Sequence, residues 1–190
     1  MKLLGNVSTL SDSAQGGVRE VVDKYLVYHR FGFDFSKHFT FGVGEMVVYG
    51  NRNYDLSYLN PFNFYKSVEH SNQDRDNALL FFDATNNSIK GLKFFGTFLM
   101  DDIDFSKIGT GWYGNKTMFN LGIYSSNLYY EYNVNIQLQY LKIEPYVYSH
   151  RIHKNSYANL SHPLIGQLQP NSSNLIFTIN YQPYHRFDCT

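Results

Sequence analysis

A single cysteine, Cys189, stands in a chain of 190 residues, so neither an internal disulfide nor a cysteine-ligated zinc site can form within it. Neither sign of charge is in surplus: 16 basic side chains face 16 acidic ones, which removes the polyanion binder and any nucleic-acid partner. No apolar run approaches the roughly 18 to 20 residues that a membrane-spanning helix needs, and mean hydropathy is -0.36. A helical membrane protein is thereby excluded. Met1-Lys2-Leu3-Leu4 is followed at once by Gly5-Asn6, with no apolar h-region, so no secretory signal is visible. Gly-x-Ser-x-Gly elbows and phosphate-cradling glycine loops are missing too, which takes away the common starting points for hydrolase and nucleotide chemistry.

Aromatic residues are plentiful instead. There are 17 Tyr and 16 Phe, and the charged fraction is only 17%, a composition that argues against disorder. From Lys24 to Arg186 apolar residues recur at every second position, which is the period of strands. In 129–141 the even positions carry Tyr130, Tyr132, Val134, Ile136, Leu138 and Tyr140, and the odd positions carry Glu131, Asn133, Asn135, Gln137 and Gln139. One face is greasy and the other is mostly uncharged amide. Thr117, Phe119, Leu121 and Ile123 alternate in the same way, as do Leu175, Phe177, Ile179 and Tyr181. With 25–35, 38–49, 76–86 and 90–101 the expected strands number seven. The pattern leaves room for a helix in 13–24, interrupted by Gly16-Gly17, and for a short one in 54–65.

The connections alternate. Ser36-Lys37, 87–89 and Asn127-Leu128 are hairpin-length, whereas 50–75, 102–114 and 151–172 are long. Such alternation predicts an all-β, antiparallel up-and-down transmembrane β-barrel, with turns on the periplasmic side and loops outside. Residues 1–24 form a lead-in and 25–187 the barrel portion. Seven strands do not close a bacterial barrel, where an even number is expected, so the reading is an incomplete segment of a larger barrel. On it, Val134, Ile136 and Leu138 face lipid, while Asn133, Asn135, Gln137 and Gln139 line a wet interior. Glu45 interrupts a greasy face of Phe39, Phe41, Val43, Val47 and Tyr49. A carboxylate there is costly, so the expectation is a bulge or twist at Gly42 and Gly44 that turns Glu45 into the lumen, beside Arg30 or His29. Periodicity alone also fits a soluble β-sandwich whose polar face meets water.

Polar groups and flat rings mingle in the loops, the pairing that holds sugars. Glu69, His70, Asp76 and Asn77 follow Tyr58-Leu59-Asn60-Pro61-Phe62, and Asp101-Asp102 stand at a strand end with Asp104 nearby. These six, Glu69 to Asp102, are the candidate polysaccharide-binding residues. The first loop reads equally as one packed on its own aromatic side chains. The acidic cluster lacks EF-hand spacing, and His150-x-x-His153 lacks the glutamate of a zinc-protease helix, so no metal and no cofactor is assigned.

The series His29-Arg30-Phe31, Gly44-Glu45-Met46-Val47-Val48-Tyr49-Gly50, Tyr58-Leu59-Asn60-Pro61-Phe62, Glu69-His70, Asp76-Asn77-Ala78-Leu79-Leu80, Asp101-Asp102 and Tyr146-Val147-Tyr148-Ser149-His150 resembles the capsule assembly Wzi family. The likeness runs from about Tyr25 to Tyr184. It implies a large outer-membrane barrel, monomeric when full length, that holds capsular polysaccharide at the cell surface in a lectin-like, non-catalytic manner. Capsular or other surface polysaccharide and outer-membrane lipid are then the expected partners. A passive pore lined by the amides, or a membrane-embedded polysaccharide hydrolase using loop carboxylates, are the alternatives.

Overall fold

Strands form where the sequence alternates. The structure, a computed structural model, describes residues 2–4, 9–11, 20–73, 75–101, 104–107, 110, 112–126, 133–159, 162–164, 168–184 and 187–189. Seven long strands dominate: β1 (Lys24–Ser36), β2 (Phe39–Gly50), β3 (Asn77–Asn86), β4 (Leu92–Met100), β5 (Thr117–Ser125), β6 (Val134–Ile143) and β7 (Ser172–Tyr184). Each pairs antiparallel with the next in chain order. Three-residue strands, Lys2–Leu4 on β1 and Phe187–Cys189 on β7, extend this single sheet to nine strands. The protein is all-β, and among the described residues the sheet does not close on itself.

Two helix expectations need correction. Glu20–Val22 is a strand paired with Thr9–Ser11, and Lys24 already opens β1, so the described part of 13–24 is not helical; 13–19 lie outside the described residues. In the first long loop, Leu56–Tyr58 makes one 3₁₀ turn, started by Asp55, whose carboxylate accepts the Ser57 N–H at 3.0 Å. Pro61 has no amide hydrogen to extend a helix. The α-helix α1 therefore begins later, at Tyr65, and runs to Ser71. No helix among the described residues is long and apolar enough to cross a membrane.

Register sorts the side chains onto two faces. One unbroken cross-strand row reads Phe33, Phe41, Ala84, Gly96, Leu121, Tyr140 and Leu175. The next row, toward the hairpin turns of β3–β4, ends in Phe94, Ile123, Leu138 and Phe177. Among the described residues this apolar face has no second protein layer over its middle. Leu121 is 57%, Leu138 42% and Leu175 66% exposed, with Val134 and Ile136 half-buried beside them. The opposite face carries Arg30, Asp83, Thr97, Asn120, Gln137, Gln139 and Asn135 in the middle of the same strands.

Packing is concentrated at the long-loop end, and on both faces. Against the apolar face, Tyr58, Tyr65 and Val68 of the first long loop cover Tyr25, Val27, Val47, Tyr49 and Ala78. Against the amide face, Val147, Tyr148 and Tyr157 of the third, which in the structure spans the whole β6–β7 connection from 144 to 171, cover Leu26, Val48, Leu79, Leu99, Met118, Leu141 and Ile143. Each fully buried Val, Leu or Ile contributes about 1.5–3 kcal/mol, so these two clusters hold the loops down. β6 stops at Ile143, and 145–148 turn back over the sheet.

Candidate functional site

The first long loop is organised around Asp76. Its carboxylate accepts both arms of Arg52, at 2.8 Å and 2.7 Å, and the Tyr58 hydroxyl at 2.6 Å. The Arg52 guanidinium also meets Asp55 at 3.0 Å and lies 4.7 Å from the centre of the Tyr49 ring. Asp76 has no exposed surface, and both its oxygens are occupied, which makes it a structural anchor. Burial and the Asp76 charge push the Tyr58 hydroxyl far above its ordinary value, so it stays a donor. Burial pushes the Asp55 carboxyl up, but the Ser57 hydroxyl and N–H together with Arg52 outweigh that and hold it below the ordinary value.

Asn77, the next candidate, is buried and donates to the Asn155 carbonyl at 3.0 Å. The Tyr157 hydroxyl lies 2.8 Å from the carbonyl oxygens of both Met46 and Asn77. Asn77 thus ties the third loop to the sheet. Glu69 is buried on α1 with Lys66 at 2.9 Å, whereas His70 one residue on is exposed. The Asp101 side chain is 4% exposed and pairs with Lys116 at 3.3 Å across the neck of the second long loop. Asp102 lies outside the described residues. Asp104 accepts the Ser106 N–H at 3.0 Å and its hydroxyl at 2.7 Å, starting the 3₁₀ turn Phe105–Lys107. Among the described residues no three His, Cys, Asp or Glu side chains converge as a cation site.

Glu45 is not turned toward the amide face. Pairing of β2 with both neighbours runs unbroken through Gly42 and Gly44, so Glu45 stays on the side of Val43 and Val47. The glycines serve the other face, where they leave room for the side chains of Arg30 and Phe81. Glu45 is only 3% exposed, and α1 solves its burial: the carboxylate accepts the Tyr65 N–H at 2.8 Å and the Lys66 N–H at 3.4 Å, with His29 at 3.4 Å. A sheet carboxylate thus satisfies orphan amides at the first turn of a helix. Burial and the nearby Glu45 charge push the Tyr65 hydroxyl up to about 12.

The expected interior amides share one face. Gln137 donates to Gln139 at 2.9 Å, and Gln139 donates to Asn120 of β5 at 2.9 Å. Asn135 is opposite Asn180 in register, and Asn133, with φ 45°, sits just before β6 and donates to Gln182 at 2.8 Å.

Asp101, one of the polysaccharide candidates, lines a pocket. A cavity of about 270 Å³ opens between α1 and strands β2–β4, bounded by Glu45, Phe64, Lys66, Ala78, Leu80, Met100 and Asp101. Lys66 and Phe64 were not among the sequence candidates. Phe64 and Lys66 flank the buried Tyr65, and α1, seven residues long, is too short to show a period. Its polar lining is already engaged, Glu45 with Tyr65 and His29, Lys66 with Glu69 and Asp101 with Lys116, and Phe64 adds one exposed ring. Fold and pocket define an all-β protein on a two-faced antiparallel sheet with gripped loop bases. No protein-family model, no curated protein and no solved structure matches the chain.

Proposed function

We propose that the chain is part of an outer-membrane β-barrel that binds or anchors capsular or other surface polysaccharide through its long-loop end, without catalysing a reaction. The observation that carries the membrane reading is the uncovered apolar row from Phe33 to Leu175, set back to back with a face of amides and paired charges. Water-soluble proteins rarely leave so wide an apolar surface bare, whereas a barrel wall requires it. The Wzi-family resemblance supplies the ligand class, and the loop pocket with Lys66, Asp101 and Phe64 supplies polar and ring contacts suited to it.

An open pore is the competing reading, favoured by the amide ladder of Asn120, Gln139 and Gln137. The third long loop argues against it. Val147, Tyr148 and Tyr157 fold over the amide face at the long-loop end, where a channel would need clear space.

The test refolds the full chain with lipid vesicles, floats them on a density gradient, and titrates them with purified capsular polysaccharides, neutral and acidic, in a calorimeter. Flotation with the lipid and a saturable heat are expected. Protein left in the aqueous fraction removes the barrel, and steady single-channel current without polysaccharide heat installs the pore in its place.

A further inference from the structure

Three large rings at the long-loop end belong to neither packed cluster. Trp112 and Tyr113 of the second loop and Tyr146 after β6 are 41%, 70% and 47% exposed. They nevertheless touch one another across two loops, with ring centres 6.0 Å apart for Trp112 and Tyr113 and 6.1 Å for Tyr113 and Tyr146.

Their backbones are held. Asn115 accepts the Asp104 N–H at 2.7 Å and donates its own N–H to the Trp112 carbonyl at 3.3 Å, while Asp101 and Lys116 close the loop neck at 3.0 Å. Ser149 donates its N–H and hydroxyl to the Tyr146 carbonyl at 3.0 Å and 2.7 Å, and the adjoining Val147 and Tyr148 are buried. Gly114 lets the indole lie down on the main chain: a Cβ there would stand 2.5 Å from Trp112 Cζ2. The indole is thus backed by the chain at Gly114 while Trp112 stays 41% exposed. Rings fixed in advance in this way lose little entropy when they take a ligand.

The surroundings say which ligand. Along the apolar side of β6 the sequence passes from Leu138 and Tyr140 to Lys142, and Glu144 follows; these two charges pair at 2.6 Å and are 41% and 31% exposed. On β6 this partly exposed charged pair ends the apolar run of the strand, and Tyr146 lies beyond it along the chain. Hydrocarbon is therefore the wrong medium. A pyranose has an apolar C–H face that packs on a ring and a rim of hydroxyls that bond to phenol, ammonium, carboxylate and water, which is what Tyr, Trp and the Lys142–Glu144 pair present. We propose that Trp112, Tyr113 and Tyr146 form a stacking platform for a hexopyranose unit of a polysaccharide, positioned by Gly114. This rests on the polysaccharide reading above and places a contact apart from the Lys66–Asp101 pocket.

Trp112 is the one tryptophan of the chain, so its emission reports the platform without a label. The full chain in detergent micelles is titrated with purified capsular polysaccharides, neutral and acidic, with calorimetry as an independent measure of binding. Saturating polysaccharide should cut acrylamide quenching of Trp112 about twofold, and Tyr146→Ala should weaken binding about tenfold. Gly114→Ala, which removes no ring, should weaken it as well, and Trp112→Phe should retain most of it. Calorimetric binding with Trp112 quenching unchanged and Tyr146→Ala neutral overturns the platform and leaves the polysaccharide reading standing. Absence of heat from every polysaccharide overturns both.

Discussion

Arg30 of β1 and Asp83 of β3 grip each other across the intervening strand: Nε donates to Oδ2 at 2.7 Å and Nη2 to Oδ1 at 2.7 Å, directly over Gly42 of β2. A Cβ at position 42 would sit 2.5 Å from the Asp83 Oδ2. Gly42→Val should therefore part the fork and lower stability by about 1–2 kcal/mol, the modest figure reflecting a pair still reached by water. A shift of the unfolding midpoint in detergent checks it; an unchanged midpoint means that the fork contributes nothing.

Asp76 gives a sharper contrast. Replacing it with Ala leaves Tyr58 and Arg52 without their buried acceptor and should cost about 3 kcal/mol or more. Polysaccharide affinity of the folded fraction should stay within about twofold if its role is structural. A large affinity loss at unchanged stability would return Asp76 to the binding site.

The two faces of the sheet should answer differently to charge. Leu175→Arg, on the bare apolar row, should cost about 2–4 kcal/mol of stability in vesicles if it lies near mid-bilayer, whereas Thr178→Arg on the amide face should cost less than about 1 kcal/mol. Equal costs in folding titrations from urea into lipid would contradict a lipid-facing wall.

His150 sets a pH dependence. Burial holds its imidazole below the ordinary value of 6.5, helped by Lys116 and Arg151, with Asp76 acting the other way. A depressed value means that the unfolded chain takes up the proton first, so the stabilisation is complete above 6.5 and is lost as pH falls through the folded value. The third loop should become more protease-sensitive between pH 7.5 and 5, and His150→Gln should flatten that profile. A wild-type profile already flat over this range contradicts a half-buried neutral imidazole.

Strand positions were readable because a two-residue period shows in any window, and β6, with greasy even and amide odd positions, displays it best. For Glu45 the His29 neighbour is legible in the sequence but the face is not. The carboxylate is satisfied by the Tyr65 amide, 20 residues on in a loop without a period, so nothing local says that a helix start will meet it. Asp76 and Asn77 were visible as polar residues, but their burial depends on Arg52, Tyr58 and Asn155, which only the folded chain brings together. The start of α1 was missed because Pro61 delays it, and the sheet's long-loop end was underrated because a loop that packs on itself has no repeating signature.

At the tip of β2, Val47 and Tyr49 enter one packed cluster while Val48 between them enters the other. Adding or deleting one residue here would swap the inhabitants of both clusters at once, placing each side chain under the wrong roof. Insertions and deletions should thus be rejected along this short stretch even where conservative exchanges are tolerated, so variation in length across natural variants should gather in the outlying parts of the loops.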